Sequence, residues 1–353
     1  MKIDDIAKLA DVSRSAVSLA LNGKNGVSQK TREKILKIAQ DHGYIPRSIV
    51  KAEHFIKNNS KILRFVACTN AGIVTEQFES LPFFMELINN LGEHINTSGY
   101  SLLVSSIKIE ELEKSLSSLE QQQPSSGILL LGTNLSPSQI ETVSKIQPNL
   151  VVLDTCFETM NVNFVVMNNI YGAYHAGAHL IKLGHKNIGY IESTTRMYNF
   201  NMRKKGFFQA MDEFGITVRN KHIYSLPPTT VSSQEEFKKE ITKNRNDLPT
   251  AFFCECDYMA ISAIKSFLEL GIHIPNDVSI IGFDNISESQ VISPELSTIH
   301  VKKDRIASLA VDMLIKQIQK ENLDIIKSFV NTELIIRKSC KELIPVNEIK
   351  TSK

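Results

Sequence analysis

The sequence predicts an α/β protein: a small all-α helix-turn-helix unit at the N-terminus, then a core of two doubly wound α/β subdomains. Three observations point there. The chain has 353 residues, more than one ordinary domain holds. Residues 1–64 carry thirteen Lys and Arg against six Asp and Glu, a net +7, while the remainder is −5. From Lys61 onward, short β-rich runs alternate with helical ones. With 42% hydrophobic and 22% charged residues, a sizeable core can be buried. A basic head on an acidic body suits a polyanion-binding module joined to a separate regulatory unit, although a solvated charged face reads equally well from charge alone.

The head divides into three helical segments. Ile3, Ile6, Ala7, Leu9 and Ala10 recur at helical spacing, with Asp4 and Asp5 at the positive end. Asp11-Val12-Ser13 interrupts that pattern, and Ser13 is a suitable cap for a second helix starting at Arg14. Ala16, Val17, Ala20 and Leu21 are expected inward; Arg14, Ser15, Ser18 and Asn22 are left outward. Gly23 and Gly26 end this helix, and Ser28 caps a third with Ile35, Leu36, Ile38 and Ala39 as its inner stripe. Gly43 then stops the chain before Tyr44-Ile45-Pro46.

Two short helices across a tight turn, the second with a small polar outer face, are the elements of a DNA reader. The major groove is about 12 Å wide, so the entering helix must be slim. Arg14 could grip a guanine edge through two parallel hydrogen bonds. Ser13, Ser18, Asn22, Ser28 and Thr31 suit phosphate contacts, which fix position without reading sequence. The plainer reading is a three-helix bundle with no role in DNA binding.

The run from Ile3 to Ser13, then Ala16-Val17-Ser18, Asn22, Val27-Ser28, Thr31-Arg32 and Gly43-Tyr44-Ile45-Pro46, resembles the headpiece of the lactose-repressor (LacI/GalR) family. The resemblance implies that Arg14, Ser15 and Leu19 occupy base-reading positions and that Tyr44 joins the DNA-contacting set. Leu19 departs from the polar residues often found there and would read a thymine methyl. It also implies a hinge over 47–60, whose wedge residue enters the minor groove. Ungapped counting from Tyr44 puts Glu53 there; counting back from the first core strand gives Phe55, the favoured reading because a ring can unstack a base step.

In the core, Ile62 to Thr69, Ser101 to Ser105, Gly127 to Leu131 and Leu150 to Asp154 read as buried strands. Pro82 to Thr97, Glu110 to Glu120 and Ser136 to Lys145 are the helices between them. A second series follows, with strands 187–192, 222–225, 250–254 and 278–282 and helices 201–214, 233–244 and 257–270. Ser297 to Val301, a helix from Lys303 to Gln319 and a strand from Phe329 to Ile336 close the chain. This rhythm predicts two sheets with a cleft at their strand ends. The resemblance extends through Phe83 to Leu87, His179 to His185, Arg203 to Phe207, Asp257 to Ile261, Val278 to Asn285 and Ser297 to Ile299. It implies a periplasmic-binding-protein-like core, 61–340, in which the late helix returns to the first subdomain and the last strand to the second. The first subdomain is expected over about 61–161 and 297–322, the second over about 162–292 and 327–340, with a tail from 341 to 353 and a headpiece of 1–46.

Those blocks suggest a binding site. Arg203 offers a fork of donors, Asp284 accepts from hydroxyls, Asn199 lies one turn before Arg203, and Asp154 ends a strand facing the cleft. Phe83 and Phe84 would form an apolar platform, and Asp257 joins the set through its block. Arg203 with Asp284 also reads as a structural ion pair, and either phenylalanine as core. Cys256 and Asn168 depart from residues common in relatives, which bears on the effector's identity.

Enzymatic signatures are missing: there is no G-x-G-x-x-G, Walker loop or G-x-S-x-G. His175, His179 and His185 lack the companions of a zinc site and are expected to cap or face solvent. No cofactor and no metal are expected. Five cysteines without C-x-x-C spacing, no secretory leader and no run of about 18 apolar residues favour the cytoplasm and no membrane. The expected function is a DNA-binding transcription regulator, with repression the favoured direction. Its operator affinity would respond to a small effector in the cleft, a saccharide being the expected class. Because one headpiece buries little surface, a homodimer on double-stranded operator DNA is expected. The alternative is a cytoplasmic small-molecule-binding protein or enzyme without DNA function.

Overall fold

The computed structural model describes residues 3–21, 26–42, 61–321 and 324–343. The chain forms two compact units that part between Lys61 and Ile62. In the N-terminal unit, α1 (Ile3–Ala10), α2 (Arg14–Leu21) and α3 (Gln29–Asp41) follow the sequence pattern. Asp11, at φ 55°, turns the chain between the first two helices. The Ser13 hydroxyl accepts the N–H of Ala16 at 3.2 Å, and the Ser28 hydroxyl accepts that of Thr31 at 3.2 Å. Ile6, Ala7, Ala10, Val17, Ala20, Ile35 and Ala39 form the core, small residues that let short helices approach closely. The Lys34 ammonium donates to the Ala10 carbonyl at 2.9 Å, satisfying an open end of α1. Leu9 and Leu36, expected inward, are 53% and 44% exposed. Three short helices share too narrow a contact arc for every apolar position to reach it. Ala16 is likewise only half-buried.

The core holds two lobes. In the first, β1 (Ile62–Thr69), β2 (Ser101–Lys108), β3 (Gly127–Leu131), β4 (Leu150–Leu153), β5 (Asn163–Met167) and β11 (Lys327–Val330) make one parallel sheet of order β11-β5-β4-β3-β1-β2. The helices of this lobe are α4 (Pro82–Thr97), α5 (Leu112–Gln122), α6 (Pro137–Ile146) and α12 (Lys303–Gln319). The second lobe has a parallel sheet of order β7-β6-β8-β9, from β6 (Ile188–Ser193), β7 (Ile223–Leu226), β8 (Ala251–Cys254) and β9 (Ser279–Ile281). With it go α7 (Asn169–Lys182), α8 (Tyr198–Glu213), α9 (Glu235–Lys243), α10 (Asp257–Glu269) and α11 (Glu288–Val291). β10 (Thr298–His300) pairs antiparallel with β12 (Glu333–Ile335).

Four expectations need correcting. The buried run Asn163–Met167 is a strand of the first sheet, so the first lobe extends past 161. The strand expected over Phe329 to Ile336 is two, split at Asn331-Thr332. Its first part pairs with β5 in the first sheet rather than returning to the second. The second lobe is reached only beyond it, where Ile280 donates to the Ser339 carbonyl at 2.8 Å. Residues 341–343, assigned to a tail, belong to that lobe as well: Leu343 donates to the Leu183 carbonyl at 2.8 Å and His185 meets the Lys341 carbonyl at 3.1 Å. Finally, Arg64, counted in the basic head, is buried on β1 and paired with Glu120 at 2.7 Å. It contributes nothing to a polyanion surface.

Candidate nucleic-acid surface and effector cleft

On the N-terminal unit, Ser13, Arg14, Ser15 and Ser28 are exposed, while Ser18, Leu19 and Thr31 are half-buried. Arg14 opens α2, and its Nε lies 3.5 Å from the Asp4 carboxylate. Ser13 and Ser15 share a hydrogen bond at 2.9 Å, as do Ser28 and Thr31 at 2.7 Å. The exposed start of α2 thus presents a guanidinium beside two hydroxyls. Asn22, Tyr44, Glu53 and Phe55, with the hinge as a whole, lie outside the described residues.

In the core, Phe83, Phe84, Asp154, Asn199, Arg203 and Asp284 all line one cleft. Asp154 follows β4, Asp284 follows β9, and α8 follows β6, so the cleft sits at the carboxyl ends of parallel strands. Asp154 and Asp284 have positive φ, 65° and 115°, strain that a site tolerates when its surroundings hold the side chain in place. Arg203 is buried over the Phe283 ring, 3.8 Å from its centroid. Its Nη2 pairs with Asp284 at 2.9 Å, Nε donates to Asn169 at 3.0 Å and Nη1 to the Glu255 carbonyl at 2.6 Å. The approach of Arg203 to Asp284 Oδ1 is close but poorly aligned, so that buried oxygen has no well-directed donor. Distance governs the charge interaction, and the pair is a real ion pair.

From the first lobe, Asp154 accepts from Thr133 and, at 2.7 Å, from Asn199 of the second lobe. Burial pushes the Asp154 carboxyl up to about 6, against the opposing pull of Thr133, Arg203 and Asn199. Burial also raises Asp284, with Arg203 and Lys303 resisting. Most of the remaining wall is apolar and was not foreseen: Ile73, Leu81, Met197, Phe200, Pro228 and the ring of Tyr258, with Thr229 beside them. No local pattern marks them, because helix starts that converge on a cleft look like any others. Cys256 also lines it and gives its thiol to the Pro228 carbonyl at 3.4 Å.

Asp257 does not line the cleft. Its oxygens accept from Thr298 at 2.5 Å and from the N–H of Ile286 at 3.0 Å, tying α10 to β10 and the loop after β9. Burial, with the Asp284 charge adding to it, pushes its carboxyl up to about 8. Asn168 is a helix cap, accepting from Tyr171 N–H at 3.1 Å. His179 and His185 are buried rather than solvent-facing. No His, Cys, Asp and Glu group suited to a metal occurs among the described residues.

Residues 2–47 match the bacterial regulatory proteins of the lacI family, and residues 178–340 match a periplasmic binding protein-like domain. The HTH-type transcriptional repressor PurR of Photobacterium profundum is 30% identical over 344 residues, which are 97% of this chain and 99% of that protein. The chain belongs to the lacI family. It is a DNA-binding transcriptional repressor and not an enzyme. Two solved structures share the fold of this lacI-family repressor at a TM-score of 0.69. One is a lac repressor dimer bound to operator and the anti-inducer ONPF, 22% identical and covering 97% of this chain and 99% of that one. The other is the transcriptional regulator CelR–cellobiose complex, 21% identical and covering 96% and 99%. Among the described residues no helix is long and apolar enough to cross a membrane.

Proposed function

We propose that this repressor binds a pseudo-palindromic operator as a homodimer in the cytoplasm, and that a small, uncharged, hydroxyl-bearing effector, a saccharide, occupies the cleft. Arg14, Ser15 and Leu19 read bases; Ser13, Ser18, Ser28 and Thr31 hold phosphates, with Asn22, Tyr44 and the hinge residue Phe55 completing the contact set. The relation to the lac repressor dimer on operator supports the dimer, since two headpieces supply the specificity that one lacks.

The observation that carries the effector class is the charge of the cleft. Two carboxylates, Asp154 and Asp284, face one guanidinium already engaged by one of them. A phosphate or other anion entering there would meet net negative charge in a low-dielectric site. Hydroxyls can donate to the carboxylates while the ring rests against Phe83 and Phe84. The cellobiose complex of CelR supports the same class.

A melting-temperature screen of the full-length protein tests this reading, because a ligand that binds only the folded state stabilises it. Neutral sugars such as D-ribose and cellobiose should raise the melting temperature, sugar phosphates should not, and Asp284→Asn should remove the shift. A shift given only by phosphorylated compounds or by purine bases would overturn the saccharide assignment.

A further inference from the structure

The first turn of α4 carries both cleft phenylalanines, yet the chain leaves that turn uncapped. Leu81 stands at the N-cap without a side-chain hydrogen bond, and Pro82 follows. Of the other core helices, α6 has a capping box from Ser136 and Gln139 and α7 is capped by Asn168, whereas α5, α8, α9, α10, α11 and α12, like α4, have no side-chain cap. At α4 the cap comes from the other lobe. The N–H of Phe83 donates to the Tyr258 hydroxyl at 3.3 Å, 175 residues away on α10.

Three residues further along α4, Glu86 meets the Lys303 ammonium at 2.9 Å, and that ammonium is fully buried. The same group lies 5.3 Å from the Phe83 ring centroid and reaches the Asp284 carbonyl at 3.4 Å. Asp284 is the residue whose carboxylate pairs with Arg203 in the cleft. One turn of helix in the first lobe is therefore held at its start by a second-lobe hydroxyl. Three residues on, Lys303 links it to the second-lobe loop that lines the cleft.

We propose that Tyr258 and Lys303 are positioning residues that couple the cleft to the first lobe through the first turn of α4. Parting the lobes removes the acceptor of the Phe83 N–H, one of the donors a helix start cannot satisfy internally. It also draws the Asp284 carbonyl away from Lys303. An effector that holds the lobes together keeps α4 capped and Phe83 in place; opening of the cleft frees both. The inference rests on the cleft being the effector site, but not on the effector's identity.

The test measures lobe closure in the full-length protein by pulsed electron resonance, with one spin label on α5 and one on α9. Wild type should show mainly the short distance. Tyr258→Phe should lower the closed-to-open ratio about two- to twelve-fold, the range one neutral hydrogen bond supplies. Lys303→Met should lower it as well and Lys303→Arg should keep it; Glu86→Gln serves if the methionine variant does not fold. Adding Leu81→Ser to Tyr258→Phe gives α4 its own cap, so it should restore melting temperature without restoring closure. An unchanged distribution in both Tyr258→Phe and the Lys303 or Glu86 variant overturns the proposal. So does a wild type that is mostly open, or recovery of closure together with stability in the double variant. Wild type that is closed yet gains no melting temperature from D-ribose or cellobiose counts against the saccharide reading alone.

Discussion

The two lobes share an architecture but bury different chemistry. The first lobe's interior is aliphatic, with β1, β3, β4 and β5 almost wholly buried around Leu, Ile and Val. Its buried ion pair, Arg64 with Glu120, also engages Ser105 at 2.8 Å and the Gln123 carbonyl at 2.6 Å, and none of these residues lines the cleft. The second lobe is packed with rings: Phe207 and Phe253 stack at 5.1 Å, and Tyr190 lies 5.1 Å from Phe207. The Tyr190 hydroxyl donates at 2.6 Å to the buried carboxylate of Glu255, whose backbone carbonyl receives Arg203. Both lobes thus bury an arginine with a carboxylate, but only the second keeps its pair in the cleft wall. The Arg64 pair is spent on structure; the Arg203 pair is held where a ligand can compete for it.

The comparison breaks most directly at the two arginines. Arg203→Met and Arg64→Met each strand a buried carboxylate, so each should lower unfolding free energy by about 3–5 kcal/mol in urea titrations. Only Arg203→Met should also abolish the sugar-induced rise in melting temperature. Equal loss of that rise in both variants would mean that global stability, not the site, sets it.

A smaller effect separates the one cleft carboxylate of the first lobe from the rest of that lobe. The Asp154 carboxyl moves from an ordinary 3.8 to about 6 on burial, so the folded chain holds its proton over an interval where the unfolded chain has lost it. The stabilisation this provides is complete below pH 3.8 and disappears as pH rises through about 6. Its size is about 3 kcal/mol. Relative to wild type, Asp154→Asn should gain about that much between about pH 4 and pH 7 in chemical denaturation. A pH-independent difference would show that Asp154 is solvated and the cleft open.

The smallest expected effect lies in local capping within the first lobe. Ser136→Ala removes a complete capping box and should cost about 1 kcal/mol without altering lobe closure. A change in closure would extend coupling beyond α4.

Much of this was readable from the residues. The bounds of β1, β3, α4 and α12 followed from apolar runs and periodicity, and the Ser13 and Ser28 caps from residue type. The cleft residues Arg203, Asp284, Asn199 and Asp154 stood out because they lie in or beside the blocks that resemble the lactose-repressor family and carry hydrogen-bonding groups there. Asp257 stood out for the same reason and proved to be a tie between elements. Strand β5 was missed because a five-residue apolar run carries no mark of its sheet. Leu9 and Leu36 were misplaced because periodicity gives a stripe, not the width of the surface it meets.

By itself the sequence determined the helix starts, the alternation of strands and helices, and the basic head, since each depends on neighbours within a few residues. The tertiary structure alone decided that Asn199 meets Asp154 across 45 positions and that Tyr258 caps α4 across 175. Such pairings depend on how two sheets close on one another. The free energy of that closure is spread over the whole interface and is written in no single segment.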